Sequence, residues 1–168
     1  MRIPKLEEII KFSSSFLLSV TKEARDTHLG IIEEKYTNPD GRRFKELVDK
    51  DYIKLKKREY GHTKPNLKAS GLLFSQIQAK PPRKSRSKTV LKYGIRSGAV
   101  HPRNKGSISS ATLMGYHQDG AGLNKKRDIA GEKVLHNDTI DEIAPMFVNQ
   151  IRKNIERALR PGRTDLTL

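Results

Sequence analysis

The segment TIDEIAPMFVNQIRKNIERAL, residues 139–159, decides the class of the fold. Asn137 or Asp138 can cap a helix here, because short polar side chains accept the free N–H groups of a first turn. Pro145 lies beyond that turn, so we expect it to bend the helix or delay its start. The apolar residues recur every three or four positions and form one helical stripe: Ile140, Ile143, Phe147, Ile151, Ile155 and Leu159. The segment therefore predicts an amphipathic C-terminal helix.

A second apolar stripe predicts an N-terminal helix over residues 4–36. Its apolar residues recur at steps of three, four or seven: Leu6, Ile10, Leu17, Val20, Ala24 and Ile31. Gly30 weakens the last turns and allows a break there. A short, strongly charged helix is predicted within residues 45–60, lined by Leu47, Tyr52 and Leu55 and packed on the body.

The middle of the chain predicts short strands between turns. Asn38-Pro39-Asp40-Gly41 has the residue types of a tight turn. A short helix is predicted around residues 67–74, and residues 98–106 have loop chemistry. Strands are predicted at residues 75–79, 90–95 and 111–116. Two flanking amphipathic helices around a small, mostly antiparallel sheet with a long basic loop give the α+β class.

These elements fit one domain over residues 1–160, followed by a C-terminal arm at residues 161–168. A basic loop or hairpin occupies about residues 80–106 of that domain. Apolar residues make up only 35% of the chain, so the core is thin and partners are expected to cover part of the surface.

The positive charge is concentrated in the middle of the chain. The net charge is +15, and residues 60–118 contain no Asp or Glu. Pro81, Pro82 and several serines make the densest part an exposed loop or hairpin tip. It is either a solvated basic loop or a surface that contacts phosphate or an acidic neighbouring subunit. The candidate interaction residues are Arg83, Lys84, Arg86, Lys88, Lys92, Arg96, Arg103 and Lys105.

No motif in the sequence predicts an enzyme, a cofactor or a metal. Cysteine is absent, and the five histidines show neither an HExxH motif nor an i, i+4 pair. Nucleophile-elbow and phosphate-loop motifs are also missing. His117 and Asp119 are typical of a polar turn. We expect no membrane span, because no apolar run approaches the required length.

Three segments, in this order, resemble the phage virion morphogenesis family, the tail-completion proteins of Mu-like phages. NPDGRRFKELVDKDYIKLKKREYG is similar to that family's turn and lysine-rich helix, NLKASGLLFSQIQ to its central Gly-Leu segment, and YHQDGAG with the last helix to its C-terminal part. The matching positions are Pro39, Asp40, Gly41, Phe44, Leu47, 54–57, Leu67, Ser70, Gly71, Leu73, Ile77, Tyr116, His117, Gly120 and 141–159, with Ser75 near a family serine. The chain departs from the family at residues 125–138. This segment has Arg127 and Ile129, but it lacks the proline and the phenylalanine that the family usually has there.

The resemblance implies a structural virion protein of a tailed bacteriophage that is not an enzyme. Such a subunit forms a homo-oligomeric ring, often sixfold, at the head–tail neck, as a tail-completion or tail-terminator protein. Its partners would be the connector or head-closure protein and the tail tube or sheath, with transient, non-specific contact to genomic DNA. It would reside in the virion, and in the host cytoplasm during assembly. Charge alone also supports an alternative, a basic module that binds nucleic acid without sequence preference.

The sequence also ranks the surfaces for contact with neighbouring subunits. The apolar stripe of the last helix is interpreted as core within the subunit more than as an interface. Residues 80–88 and the arms at both ends of the chain are the better candidates for neighbour contacts.

Overall fold

The computed structural model describes residues 5–65, 71–86, 88–103, 106–120, 129 and 135–160. Within these ranges the chain is α+β, with helices near both ends flanking two small antiparallel sheets, so the predicted class is confirmed. The elements are α1 (Leu6–Ile9), α2 (Ser14–Glu34), α3 (Lys50–Tyr60), α4 (Leu72–Ser75), β1 (Ile77–Lys84), β2 (Thr89–Ile95), β3 (Val100–Arg103), β4 (Gly106–Ser109), α5 (Ser110–Asp119) and α6 (Asn137–Leu159). No helix in the described ranges is both long and apolar enough to cross a membrane.

The predicted N-terminal helix is divided into α1 and α2. Ser13 caps α2, because its Oγ accepts the N–H of Phe16 at 3.1 Å. The inner part of the predicted stripe is buried, whereas Leu6 in α1 is 70% exposed and Ile10, just after α1, is 48% exposed. Gly30 causes no break, and α2 continues through it to its last turn.

The predicted Asn-Pro-Asp-Gly turn is present and is held by a buried side chain. Asn38 is 1% exposed, and its Oδ1 accepts the N–H groups of Asp40 and Arg42, each at 3.0 Å. Gly41 has φ +79°, a conformation that side chains with a Cβ rarely adopt. The turn directs Phe44 into the interior, where it is 6% exposed.

The core of the described chain is small. Ile32, Phe44 and Phe74 form its buried cluster, and Leu29, Tyr36 and Ile129 pack against it while staying partly exposed. The cluster joins α2, the turn and α4, and α2 also packs against β1, β2 and α6. The fold is therefore organised around α2.

α6 starts at Asn137, and its cap is His136, whose Nδ1 accepts the N–H of Asp138 at 3.1 Å. The predicted caps, Asn137 and Asp138, were therefore wrong. Pro145 lies inside the helix and does not delay its start.

Two side-chain contacts attach α6 to the N-terminal part of the chain. The ring of Phe147 packs edge-on against Phe12 and Phe16, with centroid distances of 5.2 and 5.4 Å. Asn154 donates to the carbonyls of Ile9 and Lys11 at 2.8 and 3.2 Å. Thr139 is the only fully buried residue of α6. Of the apolar stripe, the four inner residues are partly buried, whereas Ile140 and Leu159 at its two ends are 46% and 44% exposed.

The predicted packing of α3 was also wrong. Tyr52 and Leu55 are 41% and 42% exposed, whereas Lys56 is 2% exposed and donates its ammonium to the carbonyl of Lys64. The loop after α3 folds back over the helix, and Gly61, at φ +74°, makes that reversal possible.

The central predictions are right for two strands and wrong for two segments. β2 contains the predicted strand at residues 90–95, and β1 includes residues 77–79 of the predicted strand at 75–79, whose first residue, Ser75, ends α4. The predicted loop at residues 98–106 contains β3 and the start of β4, and the predicted strand at residues 111–116 is helix α5, which Ser109 caps. The predicted helix around 67–74 is observed as α4, but residues 66–70 lie outside the described residues, as do Lys105, Arg127 and the arm at 161–168.

Candidate functional site

The candidate site is an antiparallel hairpin built from β1 and β2, which we call the basic hairpin (residues 77–95). Its register runs from Ile77 opposite Ile95 to Lys84 opposite Thr89. The register shifts between Lys80 and Arg83, where Pro81 and Pro82 stand, because proline has no N–H to give to the ladder. The tip is closed by Ser85, whose N–H and hydroxyl both donate to the carbonyl of Lys88.

The basic hairpin collects most of the cations that were predicted to interact. Lys80, the first residue of the predicted contact range 80–88, joins them there. The exposed cations in it are Lys80, Arg83, Lys84, Arg86, Lys88 and Lys92. Arg96 follows directly and is also exposed, Arg103 ends β3 on the second hairpin, and Lys105 lies outside the described residues.

Two of these cations face each other across the hairpin. Lys80 and Lys92 are direct cross-strand partners, and both are exposed. Like charges directly opposite each other in an antiparallel pair destabilise the sheet. Within the described part of the chain, no ion pair neutralises any cation of the basic hairpin. Among the described residues, nothing therefore offsets the repulsion between Lys80 and Lys92, and an external anion would relieve it.

The basic hairpin lies lengthwise along α2. At its base, the Tyr93 hydroxyl and His28 Nδ1 share a hydrogen bond of 2.6 Å. At its tip, Lys84 donates to the carbonyl of Phe12, just before α2, at 2.9 Å. β1 and β2 both pack against α2 between these two contacts. The tip therefore projects at the N-terminal end of α2.

The contact between His28 and Tyr93 is a neutral one. Burial lowers the pKa of His28 to about 4, and His136 nearby adds to this effect. Burial also raises the pKa of Tyr93 to about 12. Both side chains are uncharged at neutral pH, and His28 Nε2 is buried without a hydrogen-bond partner among the described residues. This pair fixes the hairpin on α2, and the sequence pattern gave no signal for it.

An apolar cleft of about 420 Å³ lies beside this pair, between α2, the basic hairpin and α5. Its walls are mostly aliphatic and aromatic, with Ile32, Phe74, Ile77 and Met114 among them. The described lining residues contain no carboxylate, lysine or hydroxyl nucleophile other than the phenol of Tyr93. The described residues also bring together no group of three His, Asp or Glu side chains that could hold a metal ion. The cleft is therefore mostly apolar, and its polar side chains are the His28 imidazole, the Tyr93 phenol and the Gln118 amide.

No known protein family, curated protein or solved structure matches the chain. The described motif residues that carry the resemblance to the tail-completion proteins have structural positions. Phe44 and Leu73 are buried, and Gly41, Gly71 and Gly120 have φ values of +79°, +79° and +78°. They shape turns and the core, so they carry no chemistry of their own.

Proposed function

We propose that this chain is a structural virion protein of a tailed bacteriophage, a tail-completion or tail-terminator subunit. Copies of it would form a ring at the head–tail neck that joins the tail tube to the connector and lets DNA pass. The expected neighbours are the head-closure protein and the tube or sheath, and the expected location is the virion. The proposal starts from the ordered resemblance of three segments to that family.

The observation that carries the proposal is the apolar surface left open on the subunit. α6 has 23 residues and a continuous apolar stripe, yet it buries only Thr139 completely. Exposed large apolar side chains lie on or next to α1, α3 and α6, and their exposures run from 41% to 70%: Leu6, Ile10, Val48, Tyr52, Leu55, Tyr60, Ile140, Val148 and Leu159. Leu6 and Ile10 lie on or next to α1, which packs against α6, so these two helices share part of this exposed apolar surface. Large exposed apolar patches mark protein interfaces. Subunit contacts in a ring would cover it.

The ring is tested by determining what the purified full-length chain assembles into. Negative-stain electron microscopy should show annular particles of one size, and phage particles that lack the protein should accumulate as unjoined heads and tails. Monodisperse single subunits at every concentration, together with absence of the protein from purified virions, would refute the proposal. Removing residues 163–168 tests the arm separately, since unchanged rings would exclude it from the contact.

A second candidate function is a nucleic-acid-binding module, which the facing Lys80 and Lys92 favour. Contacts to phosphate would relieve their repulsion, and each neutralised phosphate would release counterions. Binding to two unrelated duplexes should then be equally tight and should fall steeply with salt. If neutralising Arg83, Lys84, Arg86 and Lys88 together leaves particles infectious, this second function is wrong.

A further inference from the structure

The outer edge of β2 has no strand beside it in the part of the chain that the structure describes, where its sheet consists of β1 and β2 alone. Arg96 donates its N–H to the carbonyl of Gln76, and Ser85 donates to that of Lys88, which fixes the phase of the ladder at both ends. Because hydrogen-bonded positions alternate along an antiparallel pair, every second residue of β2 points its N–H and C=O away from β1. These residues are Thr89, Leu91, Tyr93 and Ile95. No backbone group among the four is hydrogen-bonded to a described residue outside the hairpin.

The two outer edges of the basic hairpin differ in their capacity to accept another strand. The edge of β1 is interrupted by Pro81 and Pro82, where the register also shifts, so it offers no continuous row of N–H groups. β2 contains no proline, and the extra residue of the shift lies on β1. An open, regular edge of this kind is a template for a further extended segment. Main-chain hydrogen bonds hold such an added strand, and pockets beside the edge select its alternate side chains.

The apolar cleft supplies such a pocket at the base of this edge. Tyr93 and Ile95 both line the cleft, from positions two residues apart. Side chains alternate between the two faces of a strand, so both lie on the face that contacts His28, whereas Lys92 and Gly94 lie on the other face. A segment that extends the sheet and fills the cleft therefore needs apolar side chains at positions i and i+2.

The C-terminal arm has this pattern in residues 164–168, TDLTL, which lie outside the described residues. Leu166 and Leu168 are two positions apart and alternate with polar residues, as in a half-buried strand. In an added strand, Asp165 would share a face with Lys92. Opposite charges on neighbouring strands stabilise a sheet, so this carboxylate would offset the repulsion between Lys80 and Lys92.

The direction of α6 carries the arm away from the cleft of its own subunit. Asp138, in the first turn of α6, pairs with Lys35 just after α2. Asn154, in the second half of α6, donates to the carbonyls of Ile9 and Lys11 before α2. The two helices therefore run antiparallel, and α6 ends beyond the N-terminal end of α2.

The arm is too short to return to that cleft. His28, which lines the cleft, is about 21 Å along α2 from the first residue of that helix. Arg160 lies about 9 Å beyond Asn154 at the other end, so about 30 Å separate Arg160 from the cleft. The six residues that lead from Arg160 to Leu166 span at most about 22 Å. The arm that fills a cleft must therefore come from another copy.

We propose that residues 164–168 of one copy add as a third strand to the outer edge of β2 on the next copy, with Leu166 and Leu168 in its cleft. This contact rests on the proposed ring function and names the surfaces that join its subunits. The arm and the edge are different surfaces, so the interface is heterologous and closes into a ring when the rotation between copies allows it. Pairing between two β2 edges is disfavoured, because it brings the lysines of both strands together.

Disulfide trapping tests the contact, because the chain has no cysteine of its own. Gly94 is the acceptor position, since a Cβ at this residue has open space around it. Chains with Gly94→Cys are mixed with chains with Thr167→Cys and oxidised, so that a link between the two positions joins different copies. Two controls replace one partner each: Leu166→Cys lies on the other face of the added strand, and Ser107→Cys is an exposed strand position on the second hairpin.

Peptide mass spectrometry should find the disulfide between positions 94 and 167. The control mixtures, Gly94→Cys with Leu166→Cys and Ser107→Cys with Thr167→Cys, should give at least about tenfold less product, because side chains that point apart cannot be bridged. In the cysteine-free chain, Leu166→Ser combined with Leu168→Ser should weaken association in light scattering by about tenfold or more. Thr167→Ser should assemble like wild type. Circular dichroism and melting curves of each variant establish that loss of assembly is not loss of folding.

The possible failures are distinguishable. If rings form but positions 94 and 167 do not link, or if the variant without the two leucines assembles normally, the strand contact is wrong while the ring stands. If links between two copies of position 94 predominate, the β2 edges pair with each other and the proposal is wrong. A chain with both substitutions that links to itself at high dilution would show that the arm binds its own subunit, which also overturns it. If the wild-type chain is monomeric at every concentration, the ring function itself fails.

Discussion

Lowering the pH from about 7 to about 4 should weaken the fold through His28. Burial lowers the pKa of this imidazole from 6.5 to about 4, so the folded chain keeps it neutral over a range where the unfolded chain protonates it. The unfolded state therefore binds more protons in that window, and stability falls as the pH falls. The stabilisation is complete above pH 6.5 and is lost progressively as the pH falls towards about 4.

The size of the effect follows from the distance between the two pKa values. Each pKa unit corresponds to about 1.4 kcal/mol, so His28 should account for about 3 kcal/mol of lost unfolding free energy. Urea unfolding of the wild type and of His28→Gln at a series of pH values measures this loss. Carboxylate titration contributes equally to both proteins, so the difference between their unfolding free energies isolates His28. His101→Gln serves as a matched control for the loss of one imidazole. An unchanged pH slope in His28→Gln would refute the buried, neutral assignment.

Three further changes test the packing around this site. Tyr93→Phe removes the partner of His28 Nδ1 and should cost about 1–2 kcal/mol in thermal or urea unfolding, whereas an unchanged midpoint would mean that the hydrogen bond is absent in solution. Asn38→Ala should lower the free energy of unfolding by about 2 kcal/mol and the melting temperature by roughly 4–8 °C. Asn38→Asp keeps the acceptor oxygen and should lower the free energy of unfolding much less. Equal losses in the two variants would contradict the role of Oδ1. Ile32→Ala should cost about 2–5 kcal/mol, since this side chain is 2% exposed in the main cluster, and a loss under about 1 kcal/mol would argue against that core.

The sequence predicted the elements whose signal is local. The stripes of α2 and α6 follow from residue spacing, and the turn at residues 38–41 follows from the preferences of Asn, Pro and Gly. The division between α1 and α2 has a local cause as well, because Ser13 is a better cap than a helix interior residue. The α+β class followed from these local signals together.

Errors arose where a contact distant in sequence decides the local structure. Lys56 would be read as exposed, but the carbonyl of Lys64 satisfies its ammonium in a buried position, which leaves Tyr52 and Leu55 on the outside. Residues 111–116 form a short apolar run, and such a run does not separate strand from helix until its cap at Ser109 is known.

For the candidate site, the sequence predicted most of the cations that belong to it but not how they are arranged. The pairing of Lys80 with Lys92 depends on the register, and the register depends on the shift at Pro81 and Pro82. The position of the tip at the N-terminal end of α2 depends on Lys84 reaching the Phe12 carbonyl, across a long sequence separation. Neither the Lys80–Lys92 pairing nor the position of the tip could be predicted from local sequence patterns.

The mass of the purified full-length chain, measured by light scattering over a range of concentrations, decides whether the subunits form a ring. A ring gives one closed species whose mass is a fixed multiple of the 19.1 kDa chain, with no growth into longer polymers as concentration rises. Sixfold stoichiometry is what the family resemblance implies. A mass of 19.1 kDa at every concentration would show that the subunits form no ring.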